Sequence, residues 1–260
     1  MLDVIGVGMV NLDYIVSASS HRQRDSEAMP EIRDRFEHGA ESVVEEETIV
    51  RVLEHLGGRD TLKLSLGGSA FLAVQALAST GLDLRLGFVG IAGRSPDVSL
   101  SPLRRMDQLG IDRSRVRLDL ERSSGMCVSY IHEGERTLLT WAGANAGFAH
   151  YVDDEFDALA DYLARARYIH VTSLPDPASA SRLCTLVEEG QRRNPELRLS
   201  FDPGHAWCAA QPPAAMGLLR MTDYLFLNYR EFKLLGAQGE LSLELPFGPL
   251  DEVVAACPER

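Results

Sequence analysis

The sequence predicts an α/β fold built on a parallel sheet, and two observations carry that prediction. Apolar runs alternate with helical patterns through the second half of the chain, which is typical of parallel strands joined by crossover helices. In the first half, a strand at 64–66 ends on Gly67 and Gly68, directly before a helix that begins at Ser69. Such a turn either brings a ligand close to the backbone or is simply a tight connection that glycine permits.

The other elements follow from local patterns. Apolar or alternating runs predict strands at 2–7, 11–16, 84–89, 116–120, 126–131, 136–141, 168–172, 197–201 and 224–227. Apolar residues at helical spacing predict helices at 45–56, 69–80, 101–109, 153–166, 178–193 and 212–221. A turn at Glu133 and Gly134 joins two of the strands into a β-hairpin.

Composition limits the classes of function. The 260 residues include 38 acidic and 26 basic ones, and the net charge of −12 disfavours a nucleic-acid partner. The N-terminal residues show neither a signal peptide nor a membrane-length apolar run, so we expect a cytoplasmic protein with no membrane partner. The four cysteines are far apart and form no C-x-x-C pair, which argues against a disulfide framework or a metal site built on cysteine.

The first candidate site lies just after the first strand. Asn11 and Asp13 are two positions apart on a predicted strand, so their side chains point to the same face and could bind sugar hydroxyls. A polar, solvent-facing strand edge is the alternative. Gly6 and Gly8 also resemble part of a dinucleotide-binding loop, but its third glycine is replaced by Asn11 and no helix is predicted to follow, which disfavours a nicotinamide cofactor.

Three more polar residues stand near the ends of later elements. The hairpin ends in small residues around a single amide, Asn145, which could contact a ligand. Asn228 and Glu231 follow the last predicted strand. This pair is either a capping box at a helix start or a group that holds phosphate oxygens and a hydrated divalent cation.

Taken in order, six motifs resemble the ribokinase-like (PfkB-type) family of sugar and nucleoside kinases. The motifs are Asn11-Leu12-Asp13, Gly67-Gly68, GFVGIAG from Gly87, the hairpin from Ser123, FDPG from Phe201 and LNYRE from Leu227. The match is collinear over nearly the whole chain outside residues 17–60. That order is more specific than any single motif in it.

The resemblance implies a three-layer α/β/α domain over 1–260 with a small β-sheet lid. Lid strands are expected near 11–16, 62–66, 126–131 and 136–141, and residues 17–60 are interpreted as a polar insertion. The implied reaction moves the γ-phosphoryl group of ATP to a hydroxymethyl group of a sugar or nucleoside, with Mg²⁺ neutralising charge. A monovalent cation and a homodimer formed through the lid are further implications.

The resemblance also assigns roles to residues. The residues expected to hold the sugar are Asn11, Asp13, Gly67, Gly68 and Asn145. Asn228 and Glu231 would organise magnesium and phosphate, with Glu231 binding the metal through water. Leu72 stands where many members have an asparagine that contacts the sugar, so both sugars and nucleosides stay open as substrates.

Two departures concern the phosphate side of the expected site. Gly204 and Trp207 interrupt the D-P-N-x-R form that is common in the family, so an expected basic contact is absent there. Family members also contain a D-T-x-G-A-G-D stretch whose last aspartate is the catalytic base, and these 260 residues contain none. We therefore assign no catalytic residue and expect a core that lacks its C-terminal part.

Two functions remain open on the sequence alone. One is a sugar or nucleoside kinase that is inactive as the isolated 260-residue chain. The other is a catalytically dead relative that binds a ligand or a partner without phosphoryl transfer. A nicotinamide-dependent enzyme is a distant third.

Overall fold

A computed structural model describes residues 1–17, 35–55, 62–132 and 135–237. The strands are β1 (Leu2–Val7), β2 (Asn11–Ser17), β3 (Glu41–Val43), β4 (Lys63–Gly67), β5 (Leu86–Arg94), β6 (Asp112–Ser123), β7 (Gly125–His132), β8 (Glu135–Trp141), β9 (Ala166–Thr172), β10 (Arg198–Asp202) and β11 (Tyr224–Leu225). The α-helices are α1 (Glu46–His55), α2 (Ser69–Ala78), α3 (Pro102–Gln108), α4 (Phe148–Leu163), α5 (Pro177–Arg193), α6 (Gly204–Ala210), α7 (Pro213–Arg220) and α8 (Tyr229–Ala237).

Six strands form a parallel sheet in the order β11-β10-β9-β1-β5-β6. Every neighbouring pair in this order is parallel, as the alternating pattern predicts. One face packs on α4, α5 and α7, and the opposite face packs on α2 and α3. These three layers confirm the predicted α/β/α fold class.

Capping residues place several helix starts. Asp176 accepts a hydrogen bond from the backbone N–H of Ser179 (2.8 Å), and Pro177 occupies the first helical position of α5. Ser101 and Pro102 begin α3 in the same way. Because proline has no N–H to leave unpaired there and its φ suits a helix, this pairing sets the first residue of each helix.

Several predicted boundaries are wrong, and one helix and one strand illustrate the cause. The helix predicted at 153–166 begins at Phe148, because Phe148, Tyr151 and Val152 are buried in the core before a non-helical residue, Glu155, changes the phase of the apolar repeat. β6 extends from Asp112 to Ser123, beyond the predicted 116–120, through exposed charged residues. Backbone pairing with β5 holds those residues in the strand, and an apolar pattern does not reveal such pairing.

A second, five-stranded sheet has the order β3-β8-β7-β2-β4, and we call it the lid. It contains the strands predicted around Asn11, Leu64 and the hairpin. It also contains β3, which lies inside the stretch interpreted from the sequence as a polar insertion. The hairpin strands β7 and β8 are antiparallel as predicted, whereas the turn at 133–134 lies outside the described residues.

Helix α1 covers one face of the lid. Ile49, Val52 and Leu53 are buried against lid residues such as Tyr14 and Val128. The opposite face of the lid looks toward the carboxyl ends of the parallel strands. The chain passes from β1 directly into strand β2, so no helix follows Gly6 and Gly8 as a dinucleotide-binding loop would require.

On the face of the parallel sheet that carries α2, a groove of about 690 Å³ lies beside that helix, over β9, β10 and β11. Tyr224 and Phe226 at its rim are 52% and 58% exposed, so apolar surface is uncovered at this edge of the described structure. None of the helices in the described residues combines the length and the apolar character needed to cross a membrane.

The packing of α1 on the lid predicts a large effect of Leu53→Ala. Leu53 is 1% exposed, and truncating a fully buried leucine leaves a cavity, so we expect the free energy of unfolding to fall by about 2–5 kcal/mol. Chemical denaturation measures the loss. Glu54→Ala, on the exposed side of the same helix, is the control, and equal losses in both variants would contradict this packing.

Candidate functional site

Two adjoining cavities lie between the lid and the carboxyl ends of the parallel strands. The first, called here the lid cavity, has a volume of about 420 Å³ and is lined by residues that include Asn11, Asp13, Gly68, Thr140 and Thr172. The second, called the helix cavity, has about 720 Å³ and includes Tyr229, Asn228 and Glu231. Glu41, Arg136 and Asp202 line both cavities, which therefore form one continuous cleft.

Asp13 is the most unusual side chain in the lid cavity. Its Oδ1 atom is buried and has no hydrogen-bond partner in the described structure. Burial raises the pKa of this carboxyl to about 6, although the positive charge of Arg136 acts in the opposite direction. A carboxylate without partners, held at the wall of a cavity, can accept hydrogen bonds from the hydroxyls of a ligand.

Each glycine of the pair leaves room for a different part of the chain. Asp13 lies opposite Ser65 on β4, and a Cβ at Gly67 would overlap the Asp13 carboxylate. Gly68 has φ +99°, and a Cβ there would overlap the carbonyl oxygen of Met9. The close approach predicted from the two glycines is therefore made by parts of this chain, and only Gly68 of the pair lines the lid cavity.

Asn145 is not exposed to a ligand. It is 1% exposed, its Oδ1 accepts the N–H of Val10 (3.2 Å), and its Nδ2 donates to the carbonyls of Val10 (3.2 Å) and Ala142 (2.9 Å). Its Nδ2 also donates to Oδ1 of Asn11 (3.1 Å). The contact predicted for this amide is thus internal, and Asn145 positions Asn11, which does line the lid cavity.

Asn228 and Glu231 form the capping box that the sequence left open. The N–H of Asn228 donates to Glu231 Oε2 (2.9 Å), and the N–H of Glu231 donates to Asn228 Oδ1 (3.0 Å). This exchange satisfies two backbone donors at the start of α8 and fixes both side chains at the helix cavity. Capping and ligand binding are compatible here, because each side chain keeps a polar atom that the box does not use.

Asp202 adds a second perturbed carboxyl. It ends β10, and its Oδ1 accepts the N–H of Gly204 (3.2 Å). Burial and then the negative charges of Glu231 and Glu41 raise the pKa of Asp202 to about 6. The cleft therefore concentrates negative charge where its two cavities meet, and a bound cation would reduce the resulting repulsion.

Sequence patterns alone do not identify three of the cleft residues. Asp202 stands out only as part of the FDPG motif, and no motif assigns a role to Glu41 or Arg136. Arg136 is two positions from the cavity residue Leu138 on β8, so its side chain points to the same face of the strand. Strand alternation could therefore have identified it. Glu41 had no such signal, because β3 has only three residues and lies in a polar stretch. Its carboxylate accepts the hydroxyl of Thr140 (2.8 Å).

Arg230 bridges the cleft. Its Nη1 donates to the carbonyl of His38 (3.0 Å), which lies just before β3. A Cβ at Gly39 would overlap this guanidinium, so glycine makes room for it. α8 and the segment next to the lid are thus in direct contact at the helix cavity. Trp207, in contrast, is buried against Phe201 and donates to the carbonyl of Leu174 (3.0 Å), so it belongs to the core.

The donor set fits a hydrated divalent cation better than a dehydrated one. Among the described residues there is no group of three or more His, Cys, Asp or Glu side chains arranged to hold a metal. Mg²⁺ usually keeps several waters and takes one or two carboxylates. Glu231 and Asp202, both at the helix cavity, could provide such contacts.

Residues 52–260 match the family model described as "pfkB family carbohydrate kinase". The match covers most of the chain, and the chain therefore belongs to the pfkB family of carbohydrate kinases. A comparison with curated protein sequences gives no match.

Solved structures of several kinases share the fold. An adenosine kinase from Schistosoma mansoni, in complex with 2-fluoroadenosine, is 14% identical and superposes with a TM-score of 0.71. The matched region covers 98% of this chain and 71% of the kinase chain. An adenosine kinase from Anopheles gambiae, in complex with P1,P4-di(adenosine-5) tetraphosphate, is 16% identical with a TM-score of 0.71, covering 100% and 74%. A probable sugar kinase from Rhizobium etli is 16% identical with a TM-score of 0.70, covering 98% and 72%.

The hydrogen bonds of Asn145 predict that Asn145→Asp destabilises the fold. The new carboxylate would face three acceptor oxygens, and such an unpaired buried charge costs about 3–5 kcal/mol of unfolding free energy at neutral pH. The loss should shrink in acid, where the carboxyl is protonated. Asn228→Asp is the control, because aspartate caps a helix as well as asparagine does. Equal losses for both variants would contradict the internal role of Asn145.

Asp13 predicts a particular pH dependence of stability. Because its pKa in the folded state is about 6 rather than the ordinary 3.8, stability due to this group is lost as the pH rises through about 6. Asp13→Asn removes that loss, so the variant should be more stable than the parent at pH 7.5 by about 1–3 kcal/mol and no more stable near pH 4. Denaturation at several pH values measures this. If the unfolding free energies of the variant and the parent differed by the same amount at every pH, that result would contradict the raised pKa.

Proposed function

We propose that this chain is, or is part of, an ATP-dependent phosphotransferase that acts on a hydroxymethyl group of a sugar or nucleoside. Membership of the pfkB family supports a kinase-type reaction. The observation that carries the proposal is Asp13, which lines the lid cavity and whose carboxylate has a buried oxygen without a hydrogen-bond partner. Hydroxyl donors of a sugar ring would supply hydrogen bonds to this carboxylate.

On the acceptor side, Asp13 and Asn11 hold the ring hydroxyls. The side-chain amide of Asn145 donates a hydrogen bond to Asn11 Oδ1 (3.1 Å). Asn145 therefore orients Asn11 and does not itself contact the ligand. Gly67 acts by leaving space for the Asp13 carboxylate, and Gly68 lets the chain turn into α2 at the cavity wall.

On the phosphate side, ATP binds in the helix cavity, and residues of that cavity compensate the negative charge of its phosphates. Arg136 lies where the two cavities meet and would face the phosphoryl group during transfer, which makes it the basic group that Gly204 and Trp207 do not supply. Glu231 and Asp202 would hold a hydrated Mg²⁺, which neutralises phosphate charge when bound. No described residue is assigned the role of catalytic base.

A second candidate is a relative that binds a sugar or nucleoside, or a protein partner, without transferring phosphate. Binding without transfer would need only the residues of the lid cavity, where Asn11 and Asp13 lie. Phosphoryl transfer from ATP to a bound alcohol, measured after adding or fusing a polypeptide that carries the D-T-x-G-A-G-D stretch of a family member, distinguishes the two candidates. Transfer supports the kinase, and binding of the alcohol without transfer supports the second candidate.

Two further expectations belong to this proposal. We place the protein in the cytoplasm. A homodimer through the lid would have to form at a sheet edge such as β4 or over α1, since α1 covers the lid face that is turned away from the cleft.

Ligand-induced stabilisation tests the acceptor site. We expect at least one of ribose, fructose and adenosine to raise the melting temperature, because a ligand that binds only the folded state stabilises it. Asp13→Ala should weaken that binding by about 1–3 kcal/mol, through loss of hydrogen bonds to a charged group. Asp83→Ala, at an exposed position, is the control. Unchanged affinity for every ligand in Asp13→Ala would refute the role of Asp13.

A further inference from the structure

The contact between Arg230 and the segment before β3 is built from both sides. The Arg230 guanidinium, in the first turn of α8, donates to the carbonyl of His38, 192 positions earlier in the chain. Gly39 has φ +77°, which side chains rarely tolerate, and a Cβ there would also overlap the guanidinium. Glycine at this position therefore suits the contact both in its backbone conformation and in its lack of a side chain.

The lid segment in this contact is bonded to the strand that forms one wall of the lid cavity. The N–H of Gly39 donates to Oγ1 of the buried Thr137 (2.9 Å), and the N–H of Leu138 donates to the carbonyl of Ala40 (2.9 Å). Leu138 lines the lid cavity. A displacement of residues 38–40 would therefore disturb β8 at the acceptor side of the cleft.

Arg230 also belongs to the helix cavity. It lines that cavity between Asn228 and Glu231, whose capping box fixes the first turn of α8. A guanidinium has five N–H donors, so it can bond to a carbonyl and to an anionic oxygen at the same time. Among the described residues that line the helix cavity, Arg136 and Arg230 carry a guanidinium. A phosphate-bearing ligand needs such groups beside the carboxylates of this cavity.

We propose that Arg230 is a positioning residue that couples the two cavities, because it binds phosphate oxygens of the nucleotide while it holds the lid segment at His38. This proposal rests on the proposed function. An anion that binds the guanidinium better in this position than when the contact is broken shifts the population toward the lid position described above. Since such linkage is reciprocal, the nucleotide and the acceptor raise the affinity for each other by the same factor.

Isothermal titration of the full chain tests the coupling. Ribose, fructose and adenosine are titrated with and without saturating Mg²⁺ and a non-hydrolysable ATP analogue. In the parent chain we expect the analogue to tighten the binding of at least one of these alcohols about fivefold or more. Arg230→Ala should bring this factor to about one, whereas an arginine that only stabilises the fold would leave the factor unchanged.

Gly39→Ala breaks the same contact from the lid side and leaves the arginine in the chain. It should also abolish the coupling, and the double variant should lose no more than either single variant, because both substitutions remove one contact. Gly81→Ala is the matched control, since Gly81 has φ +76° and a Cβ there would meet no atom within 4 Å. Lys233→Ala removes a basic side chain of α8 that does not line the helix cavity, and it should keep the coupling.

The outcomes separate this coupling from the proposed function. If an alcohol and the analogue both bind but neither affects the other, the coupling is wrong and the phosphotransferase proposal stands. The same holds if the coupling survives in Arg230→Ala or in Gly39→Ala, or if Gly81→Ala abolishes it as well. If an alcohol binds and the analogue does not, the coupling is also wrong. If neither an alcohol nor the analogue binds, both proposals fail.

Discussion

The ends of three lid strands are held together by one buried amide. Asn145 joins the chain just before β2 to the turn after β8, through its bonds to Val10 and Ala142. Gly125, at the start of β7, has no room for a Cβ because Asn11 and Asn145 approach it closely. Three lid strands thus begin or end around this side chain. Since a buried amide is costly to leave without hydrogen bonds, these bonds favour one arrangement of the three strand ends.

The cleft that this arrangement creates is electrostatically unfavourable without a ligand. Asp13 and Asp202 both have pKa values raised to about 6, in each case chiefly by burial. Glu41 and Glu231 add to the negative charge near Asp202, and Arg136 is the basic residue that lines both cavities. Binding sites are often less stable than the rest of a fold for this reason, because groups arranged for a ligand are not arranged for one another.

The lid is also supported from its other side. α1 places Ile49, Val52 and Leu53 against the lid face that is turned away from the cleft, so the lid does not depend on a second copy of the chain to bury that surface. Arg230 connects the lid side to α8 through the carbonyl of His38. The segment next to the lid and α8 are therefore in direct contact as well as adjacent to the same cleft.

Much of the fold could be predicted from local patterns. The strand after Met1, the glycine turn into α2, the hairpin and the alternating second half all follow from periodicity and turn chemistry, which act over a few residues. The same holds for Asn11 and Asp13, whose spacing on a strand was enough to place both at the cleft. The starts of α3 and α5 depend on a capping residue and a proline, and these signals are local too.

The rest depended on contacts between residues far apart in the chain. Sequence alone could not show that the amide of Asn145 bonds inward to Val10, 135 positions away, or that Glu41 reaches the hydroxyl of Thr140. It also left open whether Asn228 and Glu231 cap a helix. Local patterns thus specify the class of fold and part of the polar lining of the cleft. They do not specify which polar atoms are satisfied within the protein and which keep unused hydrogen-bonding capacity, because hydrogen bonding of buried groups depends on packing between distant segments.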